Sequence, residues 1–105
     1  MTTKKKSKTI KFLEKIAGGP LTFGSLIESI RLGEEISQTT FAKILGISPS
    51  HLCDIEKRRK VVSPERAAKF ATALGYSPEQ FVRLSLQEIL DQSGIKMKVE
   101  IHKAS

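Results

Sequence analysis

The 105-residue sequence contains a single cysteine, Cys53, so no intrachain disulfide can staple it and no cysteine cage can hold a metal. With no second cysteine nearby to resolve an oxidised thiol, Cys53 reads as a small, partly buried core residue rather than a redox sensor. The two histidines, His51 and His102, have no companions at ligand spacing, and neither metal nor cofactor is expected. No apolar run approaches the roughly 20 residues of a membrane helix. None of signal-peptide length follows the basic N-terminus. These gaps exclude a disulfide scaffold, a zinc module and a membrane span. They point to a soluble chain in a reducing, cytoplasmic compartment.

What is present is positive charge, and it is unevenly placed. The formal net charge is +7. The first twenty residues hold six lysines against Glu14; Lys57-Arg58-Arg59-Lys60 forms a second cluster, and Lys96, Lys98 and Lys103 mark the tail. A small basic protein with clustered charge most often meets nucleic acid. The first eight residues have almost no apolar content and read as a disordered arm. Ile10 to Ala17 carries Phe12, Leu13 and Ile16 on one side, enough for a short helix that Gly18-Gly19-Pro20 breaks.

From Phe23 the pattern is helical: Phe23, Leu26, Ile27 and Ile30 recur at i, i+3, i+4 and i+7. Ser37 can cap a second helix that runs through Phe41, Ala42 and Leu45 and stops at Gly46. Ser48-Pro49, Ser63-Pro64 and Ser77-Pro78 each place a capping hydroxyl before a proline at the first helical position, where the missing N–H costs nothing. Gln80 completes a capping box with Ser77. These signals predict helices over about 49–57, 64–74 and 78–92. On the last of them Val82, Leu86, Ile89 and Leu90 form one stripe, with Phe81 and Leu84 roughly opposite. After Ser93-Gly94 the period becomes two: Ile95, Met97, Val99 and Ile101 alternate with polar residues, as in a half-buried strand. A lone strand needs a partner, and the nearest is the same segment of a second subunit.

Gln38 to Lys57, QTTFAKILGISPSHLCDIEK, reads as one unit. Phe41, Leu45 and Ile47 anchor the first helix and turn, Leu52 and Ile55 anchor the second, and Ala42 permits a close crossing. Gly46 sits where a positive φ is needed. This is the helix-turn-helix arrangement, whose second helix enters the major groove. Here the chain resembles the lambda repressor/Cro family of bacterial and phage regulators, also called the Xre family. The resemblance covers about residues 22 to 84. It rests on Arg31, Ser37-Gln38, Ala42, Gly46, Ile55-Glu56 and the Ala73 to Ser77 run. It implies that Gln38 contacts a phosphate and that Arg31 and Glu56 form an internal ion pair. One departure is Arg58, where such proteins often have glycine; the backbone exit from the helix is left open there, while a phosphate contact is gained.

Geometry selects the reading face separately. With Leu52 and Ile55 inward, Pro49, Ser50, His51 and Asp54 fall on the outer side as base readers, Asp54 as an acceptor for a cytosine amino group. Lys57, Arg58, Arg59 and Lys60 are expected to clamp the DNA backbone. Ser50, His51 and Asp54 have the residue types of a catalytic triad. Neighbours on one helix project about 100° apart, however, so no nucleophile–base bond forms and no enzyme is expected. The expected fold is all-α: a five-helix Cro/repressor-like bundle with a short N-terminal helix and a C-terminal dimerisation β-strand. Residues 1–20 would be the arm and short helix, 21–92 the DNA-binding domain, and 93–105 the strand and tail. The expected function is sequence-specific, repressor-type regulation by a homodimer on double-stranded DNA with a palindromic operator. One alternative is the antitoxin of a type II toxin–antitoxin pair, whose arm would meet the toxin. The other is an adaptor that does not read DNA, against which the exposed Ser50/His51 face argues.

Overall fold

Four of the five helices in the computed structural model, which describes residues 21–104, begin at a hydroxyl side chain that closes their first turn. The helices are α1 (Phe23–Gly33), α2 (Gln38–Leu45), α3 (Pro49–Glu56), α4 (Pro64–Leu74) and α5 (Pro78–Gln92). Thr22 Oγ1 accepts from the Ser25 N–H at 3.1 Å, Ser37 Oγ from Thr40 at 3.2 Å, Ser48 Oγ from His51 at 3.1 Å and Ser63 Oγ from Arg66 at 3.2 Å. Each satisfies one backbone donor that the helix leaves unpaired. The ends of α2 and α4 are equally local: Gly46 and Gly75 adopt φ of 74° and 79° in the left-handed region. The arm and the expected helix at Ile10–Ala17 lie outside the described residues.

The capping box at Ser77 is not formed. Ser77 Oγ makes no bond to the backbone of α5 and instead approaches Glu79 Oε1 at 3.4 Å. Gln80 accepts through Oε1 from Arg83 Nε at 3.1 Å and Nη2 at 2.8 Å. A charged bidentate donor one turn on outcompetes a neutral backbone N–H for that amide.

The core gathers Leu26, Ile27, Phe41, Leu52, Ile55, Phe81 and Leu84, all essentially inaccessible. α3 packs against α1 and α2, and α5 closes the far side against α4 and α1. The Phe23 and Phe81 rings meet edge to face at 6.2 Å, joining α1 to α5. Gly24 is a spacing residue: a Cβ there would lie 2.4 Å from the Ile55 carbonyl oxygen and 3.0 Å from that of Glu56. Only glycine lets α1 approach the carbonyl end of α3 so closely.

On α5 the inner face is Phe81, Leu84, Ser85 and Glu88. The Val82, Leu86, Ile89 and Leu90 stripe is half-buried. The expected strand over Ile95–Ile101 is not seen: among the described residues the tail is irregular. Its backbone is held by a side chain. Gln87 Nε2 donates to the Met97 carbonyl at 2.8 Å, and Gln87 Oε1 accepts from the Val99 N–H at 2.8 Å. The Ile95 N–H donates to the Leu90 carbonyl at 2.9 Å. Lys103 Nζ lies 3.5 Å from Glu79 Oε1, so the tail runs back along α5 toward its start. Alternation alone cannot make a ladder; with no second strand among the described residues, one amide side chain takes the place of its first rung. Val99 and Ile101 are half-buried, whereas Ile95 and Met97 are 42% and 68% exposed.

Candidate nucleic-acid interface

The geometry of α3 follows from its two ends. Ser48 and Pro49 set its entry directly after the α2 turn, and the Ile47 N–H donates to the Ala42 carbonyl at 3.0 Å to close that turn. Leu52 and Ile55 are buried against the core, which rolls the opposite side outward. Pro49 and Ser50 are exposed and His51 and Asp54 half-buried, all on or beside the outer face. The His51 imidazole is pushed below its usual range by partial burial first, then by the positive charge of Arg66 and Lys60. It is therefore neutral at pH 7, able to donate from one ring nitrogen and accept at the other.

The back of α3 is fastened by Glu56, whose side chain is 1% exposed. Arg31 Nε donates to Glu56 Oε2 at 2.8 Å and Arg31 Nη2 to Oε1 at 3.1 Å. Arg31 Nη1 also donates to the Ile36 carbonyl at 3.1 Å, and Gln38 Nε2 to Glu56 Oε1 at 3.0 Å. One carboxylate thus fixes the end of α1, the start of α2 and the end of α3. Hydrogen bonding to Glu56 raises the Arg31 guanidinium pKa further above its ordinary value. Gln38, which the resemblance assigns to a phosphate, is placed by this network at the first position of α2.

The four cations after α3 separate into different roles. Lys57 is exposed with no acidic partner among the described residues. Arg58 leaves the helix with φ of 62°, a left-handed conformation costly for a side chain with a Cβ. Its guanidinium turns away from the outer face to α5, where Nη2 meets Glu88 Oε2 at 2.6 Å and Nε bonds both carboxylate oxygens. Gln92 Nε2 holds the Arg58 carbonyl at 3.1 Å. The strained exit is offset by a pair to a carboxylate only 4% exposed. Arg59 Nε instead donates to Asp54 Oδ1 at 3.1 Å, and Lys60 Nζ lies 3.7 Å from Asp54 Oδ2.

The structure therefore brings Pro49, Ser50, His51, Asp54, Arg59 and Lys60 together on one side, and Arg31, Gln38 and Glu56 behind it. Glu88, Gln92 and Gly24 were not singled out from the sequence. Glu88 had a signal: it lies four residues after Leu84 and seven after Phe81, a charge inside an apolar arc.

No helix among the described residues is long and apolar enough to cross a membrane. A family model described as helix-turn-helix matches residues 27–81, from within α1 to the first turn of α5 and just over half of the chain. No curated protein matches it.

Proposed function

Since the chain belongs to the Cro/C1-type helix-turn-helix family of DNA-binding regulators, we propose that it reads a near-palindromic operator as a homodimer and acts as a repressor. The observation that carries this is the outer face of α3. Pro49 and Ser50 stand exposed at its first turn, His51 is neutral beside them, and the cations Lys57, Arg59 and Lys60 flank its far end. Ser50 and His51 exchange hydrogen bonds with base edges in the major groove, while Gln38, Lys57, Arg59 and Lys60 contact phosphates and set the register. A repressor needs nothing more than occupancy, which such a dimer supplies by covering its site.

The dimer reading is supported by the tail. Ile95 and Met97 present apolar side chains to solvent, and the alternation through Val99 and Ile101 suits antiparallel pairing with a second copy about a two-fold axis. That symmetry would set two recognition helices about one DNA turn, roughly 34 Å, apart. Binding selection from a randomised duplex pool, followed by footprinting, tests the proposal. A symmetric consensus with two half-sites is expected, and recovery of no sequence above background would overturn it. Because Gln87 already holds the Val99 N–H, light scattering on Lys98→Pro, at a position on the opposite edge, tests the tail: monomers are expected, and an unchanged dimer would move the interface elsewhere.

A further inference from the structure

Asp54 stands on the outer face of α3, one turn beyond Ser50 and His51, yet its carboxylate is already engaged. Oδ1 accepts from Arg59 Nε at 3.1 Å and Oδ2 lies 3.7 Å from Lys60 Nζ. The chain is wound onto the same residue, for the N–H groups of Arg59 and Lys60 both donate to the Asp54 carbonyl, at 2.8 and 3.3 Å. The two cations are 59% and 58% exposed and the carboxylate 26%, so the pairs are open to exchange with an anion from solvent. Arg58 shows the contrasting case, with its carboxylate partner 4% exposed and its carbonyl tied to Gln92.

We propose that Asp54 is an internal stand-in for a DNA phosphate, which holds Arg59 and Lys60 back from duplexes that offer no base contacts. The inference rests on the DNA-binding reading above and names what sets its selectivity. Non-specific affinity comes from cations that displace counterions from phosphates. Each cation engaged by Asp54 must first give up that partner, and the carboxylate left behind faces the same polyanion. A random duplex returns only the phosphate contact for this exchange. An operator adds the contacts of Ser50 and His51, so the carboxylate weakens wrong sequences relative to the right one. A base-accepting Asp54 makes a different prediction, because its loss would weaken the operator and relax a single base position.

The experiment compares the native chain, Asp54→Asn, and Asp54→Asn/Arg59→Ala. Fluorescence anisotropy reads their binding to a labelled random-sequence duplex and to the selected operator across a salt series, and a heparin column gives each elution salt. Asp54→Asn is expected to bind random duplex several-fold more tightly. Its log–log salt slope should steepen by about 1 to 2, one for each cation freed. It should elute later from heparin, with operator base preference unchanged. The double variant should lose most of that gain. Unchanged random-duplex affinity and heparin elution, or a loss confined to one operator base, would overturn the proposal. Should no variant bind any duplex while Asp54→Asn still elutes later from heparin, the restraint on Arg59 and Lys60 stands and the DNA reading falls. Asp54→Ser is the second variant if the amide disturbs α3, with circular dichroism as the control.

Discussion

Glu56 and Asp54 lie two residues apart on α3, and the protein treats their charges in opposite ways. Glu56 is buried and saturated, with Arg31 and Gln38 donating to it from two other helices. Asp54 is partly open and, among the described residues, paired only with the two cations that follow its own helix. The same contrast divides the adjacent arginines: Arg58 reaches inward to Glu88, and Arg59 stays at the surface. Two residues of offset on a short helix carry a side chain about 200° round the axis, which is enough to separate a fastening from an exchangeable contact. Charge type does not set the role. Burial does, because removing a partner from a desolvated carboxylate leaves a charge that water cannot reach.

The sharpest way to break the comparison is to remove Arg31. Arg31→Met should cost about 3–5 kcal/mol in urea denaturation, because Glu56 then stays buried without its cation. Arg31→Met/Glu56→Leu should recover much of that loss, and simple additivity would show that the pair is not coupled. Gly24→Ala ranks next. Its Cβ meets backbone oxygen rather than a movable side chain, so α1 must shift off α3. A loss of about 1–3 kcal/mol is expected, with core residues otherwise unchanged.

The arginine pair gives the most direct test of inner against outer. Arg58→Ala should destabilise by about 1–3 kcal/mol by stranding Glu88, while the salt slope of DNA binding barely changes. Arg59→Ala should leave stability within about 0.5 kcal/mol and lower the magnitude of the slope on the operator by about 1. Denaturation and anisotropy on both variants decide it, and equal effects on the two readouts would erase the distinction. The smallest effect concerns His51. Its folded pKa is depressed, so its contribution to stability is present above the ordinary value of about 6.5 and declines as pH falls through the folded value. Melting followed from pH 7.5 to 5 should therefore show a downward slope that His51→Gln reduces.

Much of the helical frame was legible because its signals are local. Ser37, Ser48 and Ser63 cap within three residues, Gly46 and Gly75 stop helices by their own conformational freedom, and the apolar period marks the inner faces. The Ser77 box was misread because Gln80 had a stronger suitor in Arg83, whose place a cap pattern does not weigh. The outer face of α3 was legible for the same local reason, since Leu52 and Ile55 orient the helix. The partners of the cations were not. Arg58, Arg59 and Lys60 look alike in a charge run, and only the position of α5 puts Glu88 within reach of the first of them.

What the sequence determined by itself was where helices start, stop and turn their apolar sides, because those choices involve residues one to four positions apart. It also determined that one turn of α3 would carry polar residues outward. The Arg31–Glu56 pair, across 25 positions, was already implied by the family resemblance and is formed. The tertiary structure alone decided the other distant partners: Arg58 finds Glu88 across 30 positions and Gln92 reaches Arg58 across 34. It alone required Gly24 to lack a side chain, and it alone turned an alternating tail into a segment held by Gln87. Pairing of that kind depends on distances that no local pattern encodes, and it is settled only when the core has brought the helices together.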